Sequence, residues 1–264
     1  MAKKIIRKLS YSWRLFATGF SFLSFGLGGL LLWLLVFPVL SALPGNRLQR
    51  VSRGQRVVHA SFYMFIGLMH RIGIMTYDIK GLERLNHPGQ LVIANHPTLV
   101  DIVFLISRVK QANCIVKDSL WHNPFMRGPI LNAGYISNGD PEKMIAECVA
   151  WLQSGGILII FPEGTRSVPG QPCRFQRGAA AIALQANVRV TPVTLSCVPG
   201  TLTKAEPWYH IPERRFHLAM QVGEDIALDE FTCMEPKSIA VRRLNQHLQN
   251  YFTQQRECSK DYGK

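Results

Sequence analysis

The first 77 residues contain no aspartate or glutamate, and the first acidic residue of the chain is Asp78. Ten of the 30 Lys and Arg residues lie in this acid-free segment, so it holds most of the net charge of +13. Excess positive charge suits nucleic acid, an anionic membrane surface or phosphorylated substrates. The rest of the chain holds all 17 acidic residues and is nearly balanced in charge. The excess positive charge is therefore not distributed over the whole chain.

Paired metal-binding cysteines are also missing. None of the six cysteines forms a C-x-x-C pair or lies within four residues of another, which excludes the usual zinc spacing. A chain of this size also has little need of a disulfide framework. We therefore expect reduced thiols in a cytosolic compartment and no metal site. The cysteines are Cys114, Cys148, Cys173, Cys197, Cys233 and Cys258.

Charged residues make up only 18% of the chain and hydrophobic residues 47%, which excludes disorder over most of its length. The longest uncharged run, 29 residues, extends from Leu15 to Leu43. As a straight helix it would measure about 44 Å, against about 30 Å for a hydrocarbon core. It predicts either one crossing, tilted or kinked at Pro38, or a re-entrant hairpin that breaks at Gly26, Gly28 and Gly29.

Cations flank this run on both sides, with five between Lys3 and Arg14 and four between Arg47 and Arg56. A single crossing would place one cationic flank outside, whereas an anchor that enters and leaves by the same face satisfies both. The pattern therefore favours a re-entrant or monotopic anchor. Because the excess charge borders an apolar run and no nucleic-acid motif is present, a membrane is a better partner than nucleic acid.

A second apolar stretch, Val57–Met75, is too polar for a comfortable span. It predicts an amphipathic helix that lies in the interface or packs on the first segment. We therefore divide the chain into an anchor with an interfacial helix, residues 1–76, and a folded domain, residues 77–264.

From Tyr77 onwards, short apolar runs alternate with amphipathic stretches. Strands that alternate with helices predict an α/β fold, with a mostly parallel sheet covered by helices and preceded by the apolar helical anchor. The predicted strands are Leu91–Ala94, Cys114–Val116, Ala133–Ser137, Ile157–Phe161, Val188–Leu195 and Phe216–Val222. The predicted helices are Leu99–Val109, Glu142–Gln153, Ala179–Ala186 and a terminal helix over Pro236–Arg256.

The first polar motif follows the strand Leu91–Ala94 and contains Asn95, His96 and Asp101. Five residues apart on a regular helix, His96 and Asp101 would not share a face. They can meet if His96 lies in the turn and Pro97 takes the first helical position. An imidazole held by a carboxylate can take a proton from a hydroxyl, although the pair taken alone favours a capping histidine beside a solvent-exposed aspartate.

The second motif, Phe161–Ser167, follows another apolar strand. Gly164 allows a sharp turn, and Thr165 offers a hydroxyl. Arg166 presents a planar fork suited to phosphate, while Glu163 can either orient Arg166 or tune the histidine. A surface turn with an exposed ion pair is the simpler alternative.

Together the two motifs resemble the glycerolipid acyltransferase family, whose bacterial members include 1-acylglycerol-3-phosphate acyltransferase. The family's N-H-x-x-x-x-D block is matched by Asn95, His96 and Asp101, and its F-P-E-G-T-R-S block by Phe161–Ser167. The resemblance covers roughly residues 77–225. Its connecting matches are Lys117, Leu120, Pro124, Gly128, Gly134, Ile136, Phe175, Gly178, Ala179 and Val188–Val193.

The resemblance implies an acyltransferase in which His96, oriented by Asp101, deprotonates an acceptor hydroxyl that attacks an acyl thioester. Acyl-CoA or acyl carrier protein would be the co-substrate, with no metal or other cofactor. The chain would work at a membrane, with its site at the cytoplasmic face (the inner membrane in a bacterium). The residues implied to bind substrate are Asn95, Lys117, Glu163, Gly164, Thr165, Arg166 and Arg177.

One position departs from the family pattern. The second block of the family usually carries an arginine that helps to hold the acceptor phosphate, but Asp140 stands about there. A carboxylate would repel phosphate, so the acceptor is either supplied with positive charge by Arg174 or Arg177 or is a different lyso-lipid or specialised glycolipid. As Asp140 precedes Pro141, we also expect it to cap a helix. A non-enzymatic lipid carrier with the same fold is the remaining alternative.

Overall fold

The computed structural model describes residues 2–168, 171, 174–204 and 206–261. Cys173 and the side chain of Cys258 lie outside this description. Cys114, Cys148, Cys197 and Cys233 are free thiols, as predicted.

The helices alternate with the strands after an all-helical N-terminal part. The helices are α1 (Ala2–Leu31), α2 (Phe37–Ala42), α3 (Arg47–Arg71), α4 (Asp101–Ile106), α5 (Pro124–Asn132), α6 (Pro141–Gln153), α7 (Gly178–Ala186), α8 (Asp229–Thr232) and α9 (Lys237–Asp261). A π-helical turn, Leu32–Val36, joins α1 to α2, and two 3₁₀ turns span Leu82–Arg84 and Asp118–His122. The strands are β1 (Met75–Lys80), β2 (Leu91–Ala94), β3 (Ala112–Val116), β4 (Ile136–Ser137), β5 (Ile157–Ile160), β6 (Val190–Val198) and β7 (Phe216–Val222).

The strands form one sheet in the order β1-β7-β6-β2-β5-β3-β4. Only the pair β6–β7 is antiparallel among the described strands, and the other neighbours run parallel. This confirms the predicted α/β class. The central strands β2 and β5 are buried along their whole length, because helices cover both faces of a parallel sheet and each strand therefore consists of consecutive apolar residues.

The N-terminal helices form an antiparallel pair. The chain reverses between α2 and α3, so the indole Nε1 of Trp13 in α1 donates to the carbonyl oxygen of Ile72, just after α3, at 2.9 Å. Phe25 of α1 also packs edge-to-face on Phe65 of α3, with ring centroids 5.2 Å apart. Of the two predictions for the second apolar stretch, packing on the first segment is therefore correct.

The second helix also docks on the sheet domain. Gln55 donates to the carbonyl oxygen of Ala133 at 3.1 Å, and the His59 ring is hydrogen-bonded to that of Ile106 at 2.7 Å. A Cβ at Gly54 would collide with the carbonyl oxygen of Asn132, so a glycine is needed for this close approach. The division at residue 76 stays a prediction, but the N-terminal helices and the sheet share packed surfaces.

The helical run Lys4–Ala42 is 39 residues long, with a mean hydropathy of 2.2 in its most apolar window. Its length and composition suffice to cross a membrane, and 6% of that window is buried against the rest of the chain. The predicted break at the glycines is wrong, since α1 continues through Gly26, Gly28 and Gly29. The irregularity comes before Pro38, in the π-helical turn, because a proline lacks the N–H that would bond four residues back.

Other boundaries also differ from the predicted ones. The second N-terminal helix is Arg47–Arg71, whereas Met75 is fully buried at the start of β1. The strand predicted over Ala133–Ser137 is reduced to Ile136–Ser137, because Gly134 has a positive φ of 64° that an extended strand does not allow.

Candidate active site

The polar motifs meet at one edge of the sheet. The strands β2 and β5 are parallel neighbours, with Ile93 opposite Ile160, so the loops that follow them leave from the same edge. The loops after β3 and β6 emerge there too, because β3 runs parallel to β5 and β6 runs parallel to β2. The carboxyl ends of parallel strands are where α/β sheets usually carry their sites.

The imidazole of His96 is held by the carboxylate of Asp101, as predicted. The ring Nδ1 lies 2.9 Å from Oδ2, which also accepts the backbone N–H of Thr98 at 2.7 Å. Asp101 is the first residue of α4, and its side chain is fully buried, whereas 16% of the His96 side chain is exposed. The predicted helix start at Pro97 is wrong: Pro97 lies in the preceding turn, and this turn folds the two side chains together.

Burial sets the electrostatics of this pair. Desolvation raises the pKa of Asp101 from 3.8 to about 6. The hydrogen bond to His96 and its charge oppose this rise, as does the Thr98 N–H, while the Glu163 carboxylate adds to it. Near neutral pH, Asp101 is thus ionised and can fix the tautomer of His96 with the proton on Nδ1. The other ring nitrogen, Nε2, is then free to accept a proton.

Phe161 stacks on the His96 ring, with the centroids 4.3 Å apart and an angle of 23° between the planes. This side chain was part of the quoted motif, but its contact with the histidine was not predicted. The stacking and the Asp101 hydrogen bond together fix the orientation of the imidazole.

Glu163 ties the two loops to each other. Its Oε1 accepts hydrogen bonds from the backbone N–H of His96 at 3.1 Å and from the hydroxyl of Ser167 at 2.8 Å. The backbone N–H of Ser167 in turn donates to the carbonyl oxygen of His96 at 2.7 Å. Of the two predicted roles for Glu163, the structure supports the one directed at the histidine.

Arg166 is directed at a third loop. Its Nη1 donates to the carbonyl oxygens of Leu202 and Thr203 at 2.8 and 2.9 Å, in the segment between β6 and β7. The Leu202 carbonyl also accepts the backbone N–H of Leu99 at 3.2 Å. Among the described residues, Nη1 is the guanidinium nitrogen that hydrogen-bonds to protein. Nothing in the sequence indicated Leu202 or Thr203.

Asn95 joins strands rather than facing the site. Its side-chain amide donates to the carbonyl oxygen of Leu195 at 2.8 Å and accepts the backbone N–H of the same residue at 2.7 Å. Asn95 is 2% exposed. The prediction that it binds substrate is therefore not supported by its geometry, because the polar atoms of its amide are already bonded to β6.

The remaining predicted residues differ in position. Gly164 adopts a φ of 66°, which explains the glycine, and Thr165 beside it is exposed. Lys117, after β3, is exposed and lines the same cavity as His96. Arg177 is exposed at the start of α7 and is not among the described residues that line the cavity.

Asp140 caps α6, as predicted. Its Oδ1 accepts the backbone N–H groups of Glu142 and Lys143, both at 3.1 Å. An arginine could not accept these bonds, so the departure from the family pattern has a local structural reason.

An apolar cavity of about 420 Å³ opens beside His96. Its walls include Phe22 and Phe25 of α1, Phe62 and Phe65 of α3, and Ile102 of α4. The two N-terminal helices therefore form part of the site. The sequence had indicated only their apolar character, because contacts between distant segments leave no local periodicity.

Comparison with known proteins agrees with the motifs. Residues 76–196 match the model of the family described as Acyltransferase. A chloroplastic 1-acyl-sn-glycerol-3-phosphate acyltransferase of Arabidopsis thaliana is 30% identical over 125 residues, which are 45% of this chain and 35% of the relative. The enzyme of the same name from Pseudomonas aeruginosa is 28% identical over 137 residues, 48% of this chain and 52% of the relative.

The matched segment thus spans between about a third and half of these relatives' own length. The fold extends further. The crystal structure of the 1-acyl-sn-glycerophosphate acyltransferase PlsC from Thermotoga maritima superposes with a TM-score of 0.69. That match covers 96% of this chain and 98% of the other at 19% identity, so the acyltransferase fold includes the N-terminal helices. The predicted fold and family resemblance are confirmed.

Proposed function

We propose that the chain is a membrane-associated acyltransferase that moves a fatty acyl group from a thioester to a hydroxyl of a lysophospholipid such as 1-acylglycerol-3-phosphate. The observation that carries this proposal is the His96–Asp101 pair, buried on the Asp101 side and open on the His96 side to an apolar cavity. The relatives with that printed activity support the choice of acceptor.

In the proposed reaction, Nε2 of His96 takes the proton from the acceptor hydroxyl as its oxygen attacks the thioester carbonyl. The tetrahedral intermediate then collapses, the C–S bond breaks, and the leaving thiolate receives the proton from the imidazolium. The products are an ester and a free thiol. Asp101 stabilises the imidazolium between these two steps, and these residues need no metal or other cofactor to perform them.

The cavity supports a substrate with a hydrocarbon chain. Phe22, Phe25, Phe62 and Phe65 offer apolar contact on one side, and polar side chains that include His96, Lys117 and Arg214 line the same space. An apolar pocket with a few convergent polar groups is the usual form of a small-molecule site. An acyl chain in this pocket would bring its carbonyl or ester end to the imidazole.

For the anionic group of the acceptor, the chain offers the ammonium of Lys117 and the guanidinium nitrogens of Arg166 that do not bond to Leu202 and Thr203. The contacts of Glu163, Gly164, Thr165 and Arg177 with substrate remain part of the proposal. Asp140 favours the second candidate acceptor, a different lyso-lipid or a specialised glycolipid, because its carboxylate stands where the family pattern carries a cation.

The donor in this proposal is acyl-CoA or acyl carrier protein, and the membrane supplies the acceptor. The apolar and largely exposed run Lys4–Ala42 supports membrane attachment. The cations on both sides of the run favour a site at the cytoplasmic face of the membrane. In a bacterium this membrane would be the inner one.

The test is mass spectrometry of the products that the purified full-length protein forms from mixed lyso-lipids, given first acyl-CoA and then acyl carrier protein. We expect a new diacylated lipid, and its head group identifies the acceptor. His96→Ala serves as the inactive variant, and His247→Ala, an exposed histidine on α9, serves as the matched control. No acylated product from any acceptor with either donor would refute the proposal.

A further inference from the structure

The segment between β6 and β7 carries two exposed aromatic side chains. Trp208 is 48% exposed and Tyr209 is 53% exposed, and their rings pack edge-to-face with centroids 5.8 Å apart. We call residues 206–215 the aromatic loop. Two large exposed aromatic rings side by side are costly in water, but tryptophan and tyrosine are the side chains preferred at a membrane–water interface.

The aromatic loop is fastened to α1. Arg14 is 8% exposed, and its Nη2 donates to the carbonyl oxygens of Pro212 and Glu213. Trp208 packs on Phe22, with ring centroids 5.8 Å apart. The Trp208 ring also lies over Gly19, where an added Cβ would come within 3.5 Å of it. The two aromatic rings are therefore held at a fixed height along this helix.

The position of Trp208 along α1 coincides with an exposed apolar stripe on this helix. The stripe comprises Phe16, Phe20, Leu23 and Leu27, each more than 40% exposed. Leu23 follows Gly19 by four residues and so lies beside the Trp208 contact on the helix surface. The loop and the stripe thus form one continuous apolar surface.

Exposed cations border this surface. Lys4 and Lys8 lie on the first turns of α1, and Arg214 and Arg215 end the aromatic loop. The two carboxylates of this loop have partners of their own, since Glu206 accepts the Thr203 hydroxyl and Glu213 pairs with Arg7. Apolar side chains next to lysines and arginines match the two layers of an anionic bilayer surface, its acyl chains and its phosphates. A bilayer therefore fits this surface better than a protein partner.

The same loop also forms a wall of the cavity at His96. Ile211, Pro212 and Arg214 line that cavity, as do Thr18 and Phe22 of α1. The junction between the aromatic loop and α1 is consequently both the apolar outer surface and a boundary of the space that the acyl chain would occupy.

We propose that the aromatic loop inserts Trp208 and Tyr209 into the boundary between lipid head groups and acyl chains, and that lipid substrate enters the cavity beside the junction of this loop with α1. The inference rests on the proposed function for its substrate. Its first half, insertion of the loop, concerns only the bilayer and can be measured without turnover.

Insertion is tested by tryptophan fluorescence of the full chain on vesicles of phosphatidylglycerol and phosphatidylcholine with brominated acyl chains, which quench nearby indoles. Trp208→Phe removes an indole that we expect to be quenched and therefore lowers the quenched fraction of the emission. Trp151→Phe is the matched control. This indole on α6 donates to the carbonyl oxygen of Ile157 and lies away from the aromatic loop. Its loss removes unquenched emission and should therefore raise the quenched fraction. A quenched fraction that Trp208→Phe leaves unchanged or raises would overturn the insertion.

Entry is tested by turnover with two acceptors, a long-chain lyso-lipid embedded in the vesicles and a short-chain analogue dissolved in water. We expect Tyr209→Asp to lower turnover of the embedded acceptor several-fold and to leave the soluble acceptor unaffected, whereas Tyr209→Phe changes neither. Equal loss with both acceptors, or with neither, would overturn entry at the loop. If the unmodified protein acylates neither acceptor, the proposed function fails, and the fluorescence measurement still decides whether the loop inserts.

Discussion

The backbone N–H of His96 donates to Oε1 of Glu163 at 3.1 Å, so a carboxylate from one catalytic loop fixes the main chain of the other. Because the same oxygen accepts the hydroxyl of Ser167, the contact locks the turn after β5 as well. In this arrangement Glu163 positions the histidine rather than the arginine three residues further along.

This contact predicts a difference between two substitutions of Glu163. Glu163→Gln keeps an oxygen acceptor for the His96 N–H and should retain most turnover, while Glu163→Ala removes the acceptor and should lower kcat by roughly ten- to a hundred-fold. Steady-state kinetics on vesicle-embedded lyso-lipid measure both. The positioning role is contradicted if the two variants lose equal activity, which would point to a need for the negative charge itself.

Asp101 should be indispensable for a different reason. Asp101→Asn keeps the volume of the side chain but removes the charge that stabilises the imidazolium, so we expect a loss of about 10²–10⁴ in kcat. The KM of the acyl donor should change little, because the buried side chain hydrogen-bonds only to His96 and Thr98 among the described residues. Near-normal turnover of this variant would remove the carboxylate from the mechanism.

The raised pKa of Asp101 predicts the pH dependence of turnover. As the pH falls below about 6, Asp101 takes up a proton and becomes neutral. It then no longer stabilises the His96 imidazolium, so kcat/KM should decline. The contribution of Asp101 to the free energy of unfolding should change in the opposite direction, and increase as the pH falls. Between about 4 and 6 the folded chain binds a proton that the unfolded chain, with an ordinary pKa of 3.8, has already released. Lowering the pH through that range therefore stabilises the fold at this site.

A pH profile of kcat/KM, run alongside thermal unfolding at the same pH values, checks both signs. We expect turnover to fall below pH 6. Over the same range the unfolding free energy of the unmodified chain should rise more than that of Asp101→Asn, which lacks the titrating carboxyl. A flat profile of kcat/KM between pH 5 and 7 would contradict the proposed role of the pair.

Much of the fold was readable from the sequence because the signals are local. The strands Leu91–Ala94 and Phe216–Val222 were predicted with the observed boundaries, since the first is a short apolar run and the second alternates apolar with polar or small residues. The start of α3 was missed, although Asn46 and Gln49 cap each other's backbone N–H groups, a pattern that sequence can show. The charged residues that follow, Arg50 and Arg53, interrupt the apolar pattern on which the prediction of this helix depended.

The contacts between distant segments could not be predicted. Arg166 meets Leu202, and Arg14 meets Glu213, across 36 and 199 residues of chain. Neither pair leaves a periodic pattern, because it depends on how the β6–β7 loop folds over the sheet edge and α1. For the same reason, the walls of the cavity were not foreseen.

The Arg166 contact predicts two effects of one substitution. Arg166→Ala should raise the KM of the lyso-lipid more than that of the acyl donor, because it removes one of the two cations proposed to hold the anionic group. It should also cost about 1–3 kcal/mol of stability, since the carbonyl oxygens of Leu202 and Thr203 lose a charged donor. Kinetics with each substrate varied in turn, together with urea unfolding, separate the two. A larger change in the KM of the donor would reassign Arg166 to the donor site.

The role of His96 as the base is measured by comparing His96→Ala with the unmodified chain in two assays on the same vesicles. We predict that the variant sediments with the vesicles as the unmodified chain does, while formation of acylated lipid falls below detection. If acylated lipid still forms at a substantial rate from His96→Ala, the imidazole held by Asp101 is not the base of the reaction.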